Sequence, residues 1–250
     1  MRVFSGVVLA LLLTGTVAAQ QAASPPLEDK RLTIHTLVRE DIFAGWLQND
    51  LTRMSRGEAN IEKLLVSRPD QKGPLMAWKG GATIYRAVKA REAGNAAEYA
   101  RLYKTGMDEF AEAKRAAPQD GGVHSIVGGS LLLFGDRLAP EHRSPSWEAS
   151  YQSYNFLWGA QGAIADKLPP HHRGELTAGV VMSAQRTGRT AEANERLDKM
   201  LAVVKGTAYE AEALRWKADM KSASSSSLVC KNCHDDGRLS PTLARLTPKA

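Results

Sequence analysis

The chain has 250 residues, of which 43% are hydrophobic and 24% are charged, and its formal net charge at pH 7 is +6. This length and apolar content suffice for a hydrophobic core that needs no disulfide scaffold. The charge is only mildly basic, and the sequence has neither a basic stripe with interleaved aromatic residues nor a zinc-finger spacing, so we expect no nucleic-acid partner.

Residues 1–19 have the pattern of a secretory signal peptide. Arg2 begins it, Val7 to Ala19 is an apolar run too short to cross a bilayer, and Val17-Ala18-Ala19 fits a small-x-small cleavage site. The alternative is an uncleaved N-terminal anchor. No later stretch is apolar enough to cross a membrane, so we expect a periplasmic or secreted protein with no stable membrane span after cleavage. Loss of Arg2 would lower the net charge from +6 to +5.

Residues 20–30 are polar, contain Pro25-Pro26 and are expected to be an extended lead-in. In residues 31–220, apolar side chains recur every three or four positions, which predicts an all-α domain. Glycine and proline interrupt this pattern at intervals and predict repeated helix-turn-helix units. These interruptions are Gly57, Pro69, Gly94, Pro118, Gly121-Gly122, Pro140, Pro145, Pro169-Pro170, Gly188 and Gly206.

Two of the predicted hairpins are alike. Gly94 precedes a helix that we expect to end at Ala116, and Gly188 precedes one expected to end near Val204. In both, glycine should terminate the first helix and let the second fold back. Ser183 to Leu201, with its Gly-x-x-x-x-Ala spacing, resembles a tetratricopeptide (TPR) repeat. The resemblance implies a TPR-like array, or α-solenoid, with a concave face that binds a protein or peptide.

Four aromatic residues lie at helical spacing, where they would share one face of a helix. They are Trp147, Tyr151, Tyr154 and Trp158. Two interpretations stay open, namely packing in the core and an aromatic wall beside a bound group or a partner peptide. The glycine pairs Gly80-Gly81, Gly121-Gly122 and Gly128-Gly129 indicate close helix approach and turns, because none of them makes a phosphate-binding fingerprint.

After the helical domain, residues 221–229 are rich in serine and are expected to be a flexible linker, followed by a tail over residues 230–250. The tail begins with Cys230-Lys231-Asn232-Cys233-His234, which contains both cysteines of the chain. Covalent haem attachment needs two thiols about one helical turn apart and an imidazole beside them. We therefore predict one covalent haem c held by Cys230 and Cys233, with His234 as the iron ligand. A disulfide, a redox-active cysteine pair and a zinc site are the alternatives.

The stretch from Cys230 to Asp236 is similar to the haem motif of cytochromes c-prime. In that family the motif lies on the long last helix of a four-helix bundle, whereas a serine-rich segment precedes it here. The whole chain resembles secreted bacterial proteins that combine a TPR-like body with one C-terminal haem motif. The sequence does not identify the sixth iron ligand. The candidates in the body are His35, His124, His142, His171, His172, Met182 and Met220.

These features predict an exported, monohaem, cytochrome-like protein that combines one-electron transfer with binding of a redox partner protein or peptide by the helical array. Two other functions stay open. One is a TPR-like scaffold in which the haem or a disulfide is subsidiary, and the other is a haem enzyme or sensor acting on peroxide or a small gas. Whether the protein is an enzyme is left open, and we identify no catalytic residue.

Overall fold

The structure is a computed structural model that describes residues 24–226 and Arg245. In residues 24–226 it contains α-helices and short 3₁₀ segments and no β-strand, which confirms the all-α prediction. The α-helices are α1 (Ile34–Gln48), α2 (Leu51–Ser67), α3 (Lys72–Glu92), α4 (Ala96–Ala116), α5 (Gly121–Phe134), α6 (Pro140–Gln161), α7 (Pro170–Arg186), α8 (Thr190–Val204) and α9 (Glu210–Ala218). The 3₁₀ segments are Pro69–Gln71, Gly135–Arg137, Gly162–Lys167 and Met220–Ser225. The predicted signal peptide and the start of the lead-in lie outside the described residues.

Local sequence signals begin several of the helices. The Asp120 side chain accepts the backbone N–H groups of Gly122 and Val123, at 2.7 and 3.1 Å, and so caps α5. The Asn95 side chain accepts the N–H of Glu98 at 3.1 Å and caps α4. Such side chains satisfy amide groups that have no partner within the helix. They help a new helix begin directly after the turns that precede α4 and α5.

The two hairpins predicted from glycine are confirmed. Gly94 and Gly188 adopt the left-handed conformation, with φ of 75° and 77°. In both turns the residue after the glycine donates its N–H to the carbonyl five positions earlier, from Asn95 to Ala90 and from Arg189 to Ala184, each at 2.9 Å. This is the hydrogen bond of a Schellman cap. The same turn therefore joins α3 to α4 and α7 to α8.

The predicted break at Gly57 is wrong. Gly57 is buried in the middle of α2, where an added Cβ would lie 3.0 Å from the Ile42 side chain of α1. The break falls instead at Asn49, which adopts the left-handed conformation with φ of 58°. Gly57 thus serves close helix packing, whereas asparagine, whose short polar side chain tolerates this backbone, ends the first helix.

The core has two parts that meet at α5. Leu131 packs with the apolar residues of α1 to α4, and the next residue, Leu132, packs with those of α6 to α9. These two adjacent residues of α5 thus face different parts of the core. The first core contains the ring contacts of Trp46, Trp78 and Phe134, with Trp46 and Phe134 edge to face at 5.1 Å. The second core is built around α7.

Candidate functional site

Cys230, Cys233 and His234 lie outside the described residues, so the predicted haem attachment stays a prediction. The structure does describe the chain up to Ser226, four positions before Cys230. The contacts of this last described stretch show which parts of the helical body lie beside Ser226.

The buried side chain of Arg186, at the end of α7, holds the segment that precedes the tail, residues 220–226. Its guanidinium donates hydrogen bonds to the carbonyl oxygens of Ala223 and Ser226, at 3.0 and 2.9 Å. It also contacts the Asp136 carboxylate at 3.1 Å. The Arg186 side chain is 1% exposed, whereas that of Asp136 is 47% exposed. Arg186 therefore connects the C-terminal segment to the turn before α6, and we call this arrangement the Arg186 clasp.

A second contact fixes the same segment from α9. Glu212 accepts hydrogen bonds from the Ser226 hydroxyl at 2.8 Å and from the Trp216 indole N–H at 3.0 Å. Its pKa is lowered, chiefly by its hydrogen bond to Arg215, so the carboxylate is ionised at neutral pH. Ser226 is thus held on both sides.

The segment expected to be a flexible linker is packed where the structure describes it. Met220–Ser225 forms a 3₁₀ helix, Ala223 is fully buried, and Ser226 is 6% exposed. The serine-rich composition suggested flexibility, but buried carbonyls that accept from Arg186 hold this backbone in place. Residues 227–229 of the predicted linker lie outside the described residues.

Two candidate iron ligands are buried and pack in the core. Met182 is fully buried in α7. His124 is 7% exposed, stacks on Phe156 with ring centroids 3.9 Å apart, and donates from Nε2 to the Pro118 carbonyl at 3.0 Å. Burial lowers the pKa of His124, which keeps the ring neutral. Both residues are structural in this fold. Met220 is half-buried against the second core.

His171 and His172 lie at the end of α7 away from the Arg186 clasp. Fifteen helical positions separate His171 from Arg186, which corresponds to about 22 Å. Eight residues separate Ser226 from His234, which would span at most about 28 Å when fully extended. A histidine at this end of α7 is thus near the limit of the tail's reach. His35 lies in α1 beside the first core, where its ring centroid is 5.4 Å from that of Trp78.

His142 lies in the first turn of α6, six positions after Asp136 of the clasp. Its Nδ1 is 2.7 Å from the Tyr99 hydroxyl, and its ring stacks on Tyr103 at 3.9 Å. The Tyr99 oxygen also accepts the N–H of Ala139 at 2.9 Å. Stacking and the hydrogen bond fix the orientation of the imidazole, and its Nε2 makes no hydrogen bond within the described part of the chain.

The four aromatic residues of α6 make contacts within the helical body. Tyr154 is buried against Gly128 and Gly179, and the half-buried Trp147 lies against Gly135. Tyr151 contacts Arg189, which directly precedes α8, and Trp158 contacts Arg196 of α8. The guanidinium of Arg189 lies 3.9 Å from the Tyr151 ring centroid, and that of Arg196 lies 4.7 Å from the Trp158 ring centroid.

Sequence reasoning missed Arg186, Asp136 and Tyr99. An arginine in the last turn of a helix is ordinarily a surface residue that complements the helix dipole, so the sequence carries no signal of its burial. Asp136 and Tyr99 acquire their roles through contacts with residues at least 40 positions away. Only the folded chain brings these groups together.

Searches beyond this chain add no further assignment. No family model, no curated protein and no solved structure matches it. Within residues 24–226 and Arg245, no three His, Cys, Asp or Glu side chains converge as a metal site, and no helix has the length and hydropathy of a membrane span.

Proposed function

We propose that this chain is an exported, monohaem c-type electron-transfer protein of the periplasm or the secreted fraction. The observation that carries the proposal is the pentapeptide Cys230-Lys231-Asn232-Cys233-His234, which holds both cysteines of the chain. Cys230 and Cys233 would form the two thioether bonds, and His234 would ligate the iron. Bound haem would supply a one-electron redox centre.

The body would hold this centre close to its surface. The Arg186 clasp and the Glu212–Ser226 hydrogen bond fix the chain four residues before Cys230. Four residues span at most about 14 Å, so the first thiol stays within that distance of Ser226. A short tether of this kind limits the orientations that a redox partner would meet.

We further propose that His142 would be a second iron ligand beside His234. Its Nε2 makes no hydrogen bond with the described residues, whereas its Nδ1 can donate to the Tyr99 oxygen, which has a second lone pair beside the one used by Ala139. Metal-ligating histidines commonly have the non-ligating nitrogen held in this way, because the second hydrogen bond orients the ring. His142 also lies six positions after Asp136, which belongs to the Arg186 clasp.

Attachment is tested by producing the full chain in a host that exports and matures c-type cytochromes. Haem-dependent staining of a denaturing gel should give a band for the wild-type protein and none for the C230S/C233S variant. The wild-type protein should also show reversible reduction in its optical spectrum. A stained band for the double variant would refute thioether attachment at these cysteines.

Ligation by His142 is tested through the same spectrum. H142A should convert a low-spin, six-coordinate spectrum into a high-spin one, whereas H172A should leave it unchanged, because His172 is exposed at the far end of α7. An H142A protein that keeps the wild-type spectrum would exclude this residue as an iron ligand.

We propose that the helical body is a TPR-like array that binds the redox partner protein or peptide. The support is the repeated hairpin, in which α3 and α4 are joined by the same glycine turn as α7 and α8. Each hairpin also follows a helix and a 3₁₀ segment, so one order of elements occurs twice. The same observation favours a second candidate function, that of an interaction scaffold.

Small-angle scattering distinguishes an open array from a closed bundle. A compact domain of this length has a radius of gyration of about 17 Å. A solenoid should exceed this value clearly in solution, and a value near 17 Å would contradict an open array.

A further inference from the structure

A cavity of about 340 Å³ opens between the start of α7 and the turn after α8. Its lining includes Pro170, His171 and Arg173 from the first turn of α7, and Lys205, Thr207 and Tyr209 from the turn that leads to α9. The cavity lies at the opposite end of α7 from the Arg186 clasp, and its lining shares no residue with that clasp.

Two cationic side chains in this lining have no carboxylate partner within the described part of the chain. Arg173 makes one long contact, 3.4 Å from Nη1 to the Asp166 carbonyl, and its buried Nε has no hydrogen-bond partner. Lys205 is exposed and makes no ion pair with any described residue. By contrast, Arg189, which directly precedes α8, and Arg196 within it each pair with a glutamate. The buried Nε of Arg173 favours a ligand that brings an acceptor, because an unpaired buried donor is costly.

The start of α7 adds positive potential to the same place. Pro169 precedes the helix and provides no capping side chain for the N–H groups of His171 and His172, whereas Pro170 has no N–H and that of Arg173 donates to the Pro169 carbonyl at 3.0 Å. The partial positive charge of a helix N-terminus favours an anion. Here it coincides with Arg173 and Lys205.

The acidic groups near the cavity are held by other donors. Glu175 accepts the Tyr209 hydroxyl at 2.9 Å, and that hydroxyl lies 3.1 Å from His171 Nδ1. Glu210 accepts the N–H of Gly206 at 2.7 Å. These carboxylates therefore have partners of their own, and neither forms an ion pair with Arg173 or Lys205.

We infer that this cavity binds a small oxyanion, a carboxylate or a phosphate group, held by Arg173, Lys205 and the amide groups at the start of α7. The planar guanidinium presents two donors to two oxygens of one ligand, a geometry that suits both groups. The lysine adds a charge at the exposed side. This site does not depend on haem.

The full mature chain is titrated with inorganic phosphate and, separately, with acetate, and binding is followed by NMR chemical shifts at constant ionic strength. Saturable binding is expected for at least one anion, with shifts centred on residues 170–173 and 205–209. The anion with the higher affinity identifies the group recognised. R173Q and K205Q should each weaken binding about tenfold or more, whereas K104Q, on the exposed face of α4, should not.

Binding that R173Q and K205Q leave unchanged, or shifts that never saturate with either anion, would overturn the inference. Lys205 is exposed, so K205Q should fold even if R173Q does not. The titration is repeated on the C230S/C233S protein, in which the same affinities are expected. Anion binding that disappears in that protein would place the site at the haem and contradict a separate cavity site.

Discussion

Replacement of Arg186 by alanine should release residues 220–226, the segment that precedes the tail. The side chain is 1% exposed and donates to two carbonyl oxygens of the C-terminal segment, Ala223 and Ser226. A hydrogen bond from a charged donor contributes about 1.5 kcal/mol or more, and loss of a buried donor leaves its acceptors unsatisfied. The two carbonyl bonds together correspond to about 3 kcal/mol. The Asp136 contact adds little, because that carboxylate is 47% exposed.

The effect should be local as well as global. A loss of about 3 kcal/mol corresponds to roughly a hundredfold faster amide exchange where opening is local. Hydrogen exchange followed by mass spectrometry should show this increase in residues 220–226 of R186A. Urea unfolding followed by circular dichroism should show how much of the loss reaches the whole domain.

The matched control is R101A. Arg101 belongs to an exposed ion pair with Glu98 on α4, so its removal should change neither the exchange of residues 220–226 nor the urea midpoint. If the amides of residues 220–226 exchange in R186A at the wild-type rate, and the protein unfolds at the wild-type urea midpoint, the clasp does not hold this segment.

Two further changes test the helix turns and a buried histidine. G94A should destabilise the protein by about 1 kcal/mol in urea unfolding, because alanine is strained at φ of 75° even though no atom lies within 4 Å of an added Cβ. G159A, in α6 with equally open surroundings, should instead stabilise the protein by about 0.5 kcal/mol. Equal effects of the two substitutions would refute the role of backbone conformation. His124 has a pKa below its ordinary value of 6.5 because it is buried, so the unfolded chain binds its proton more readily. The stability that depends on the neutral ring should be present above pH 6.5 and fall as the pH drops below it. The melting temperature of H124Q should therefore fall less between pH 7.5 and pH 5 than that of the wild type. Equal decreases in melting temperature for the two proteins would contradict this.

The sequence predicted the parts of the fold that rest on local backbone chemistry. Gly94 and Gly188 end helices because a left-handed residue is needed there, and the adjoining sequence already indicates the turn. Gly57 is also a glycine, but its role is to let α1 approach α2 closely. The sequence alone does not distinguish a glycine that ends a helix from one that allows close helix packing. Asn49 carries the break instead, and asparagine in a polar stretch is a weak signal.

The surroundings of the tail could not be predicted in the same way. Arg186 reaches carbonyls 37 and 40 positions away, and its burial depends on the turn before α6 and on α9 being in place. Serine-rich composition indicated a flexible linker, yet the backbone carbonyls of that segment are the groups that the guanidinium binds. Backbone acceptors are the same in every sequence, so no residue pattern reveals which of them will be bound.

The most direct test of the proposed function is the intact mass of the exported protein. We expect a chain that begins at Gln20 and is heavier than its sequence by the mass of one haem, with the increase retained after denaturation and reduction. A chain of unmodified mass, from a host that attaches haem to a control cytochrome, would contradict covalent haem at Cys230 and Cys233. The cysteine pair would then be a disulfide or a pair of thiols beside a helical interaction domain.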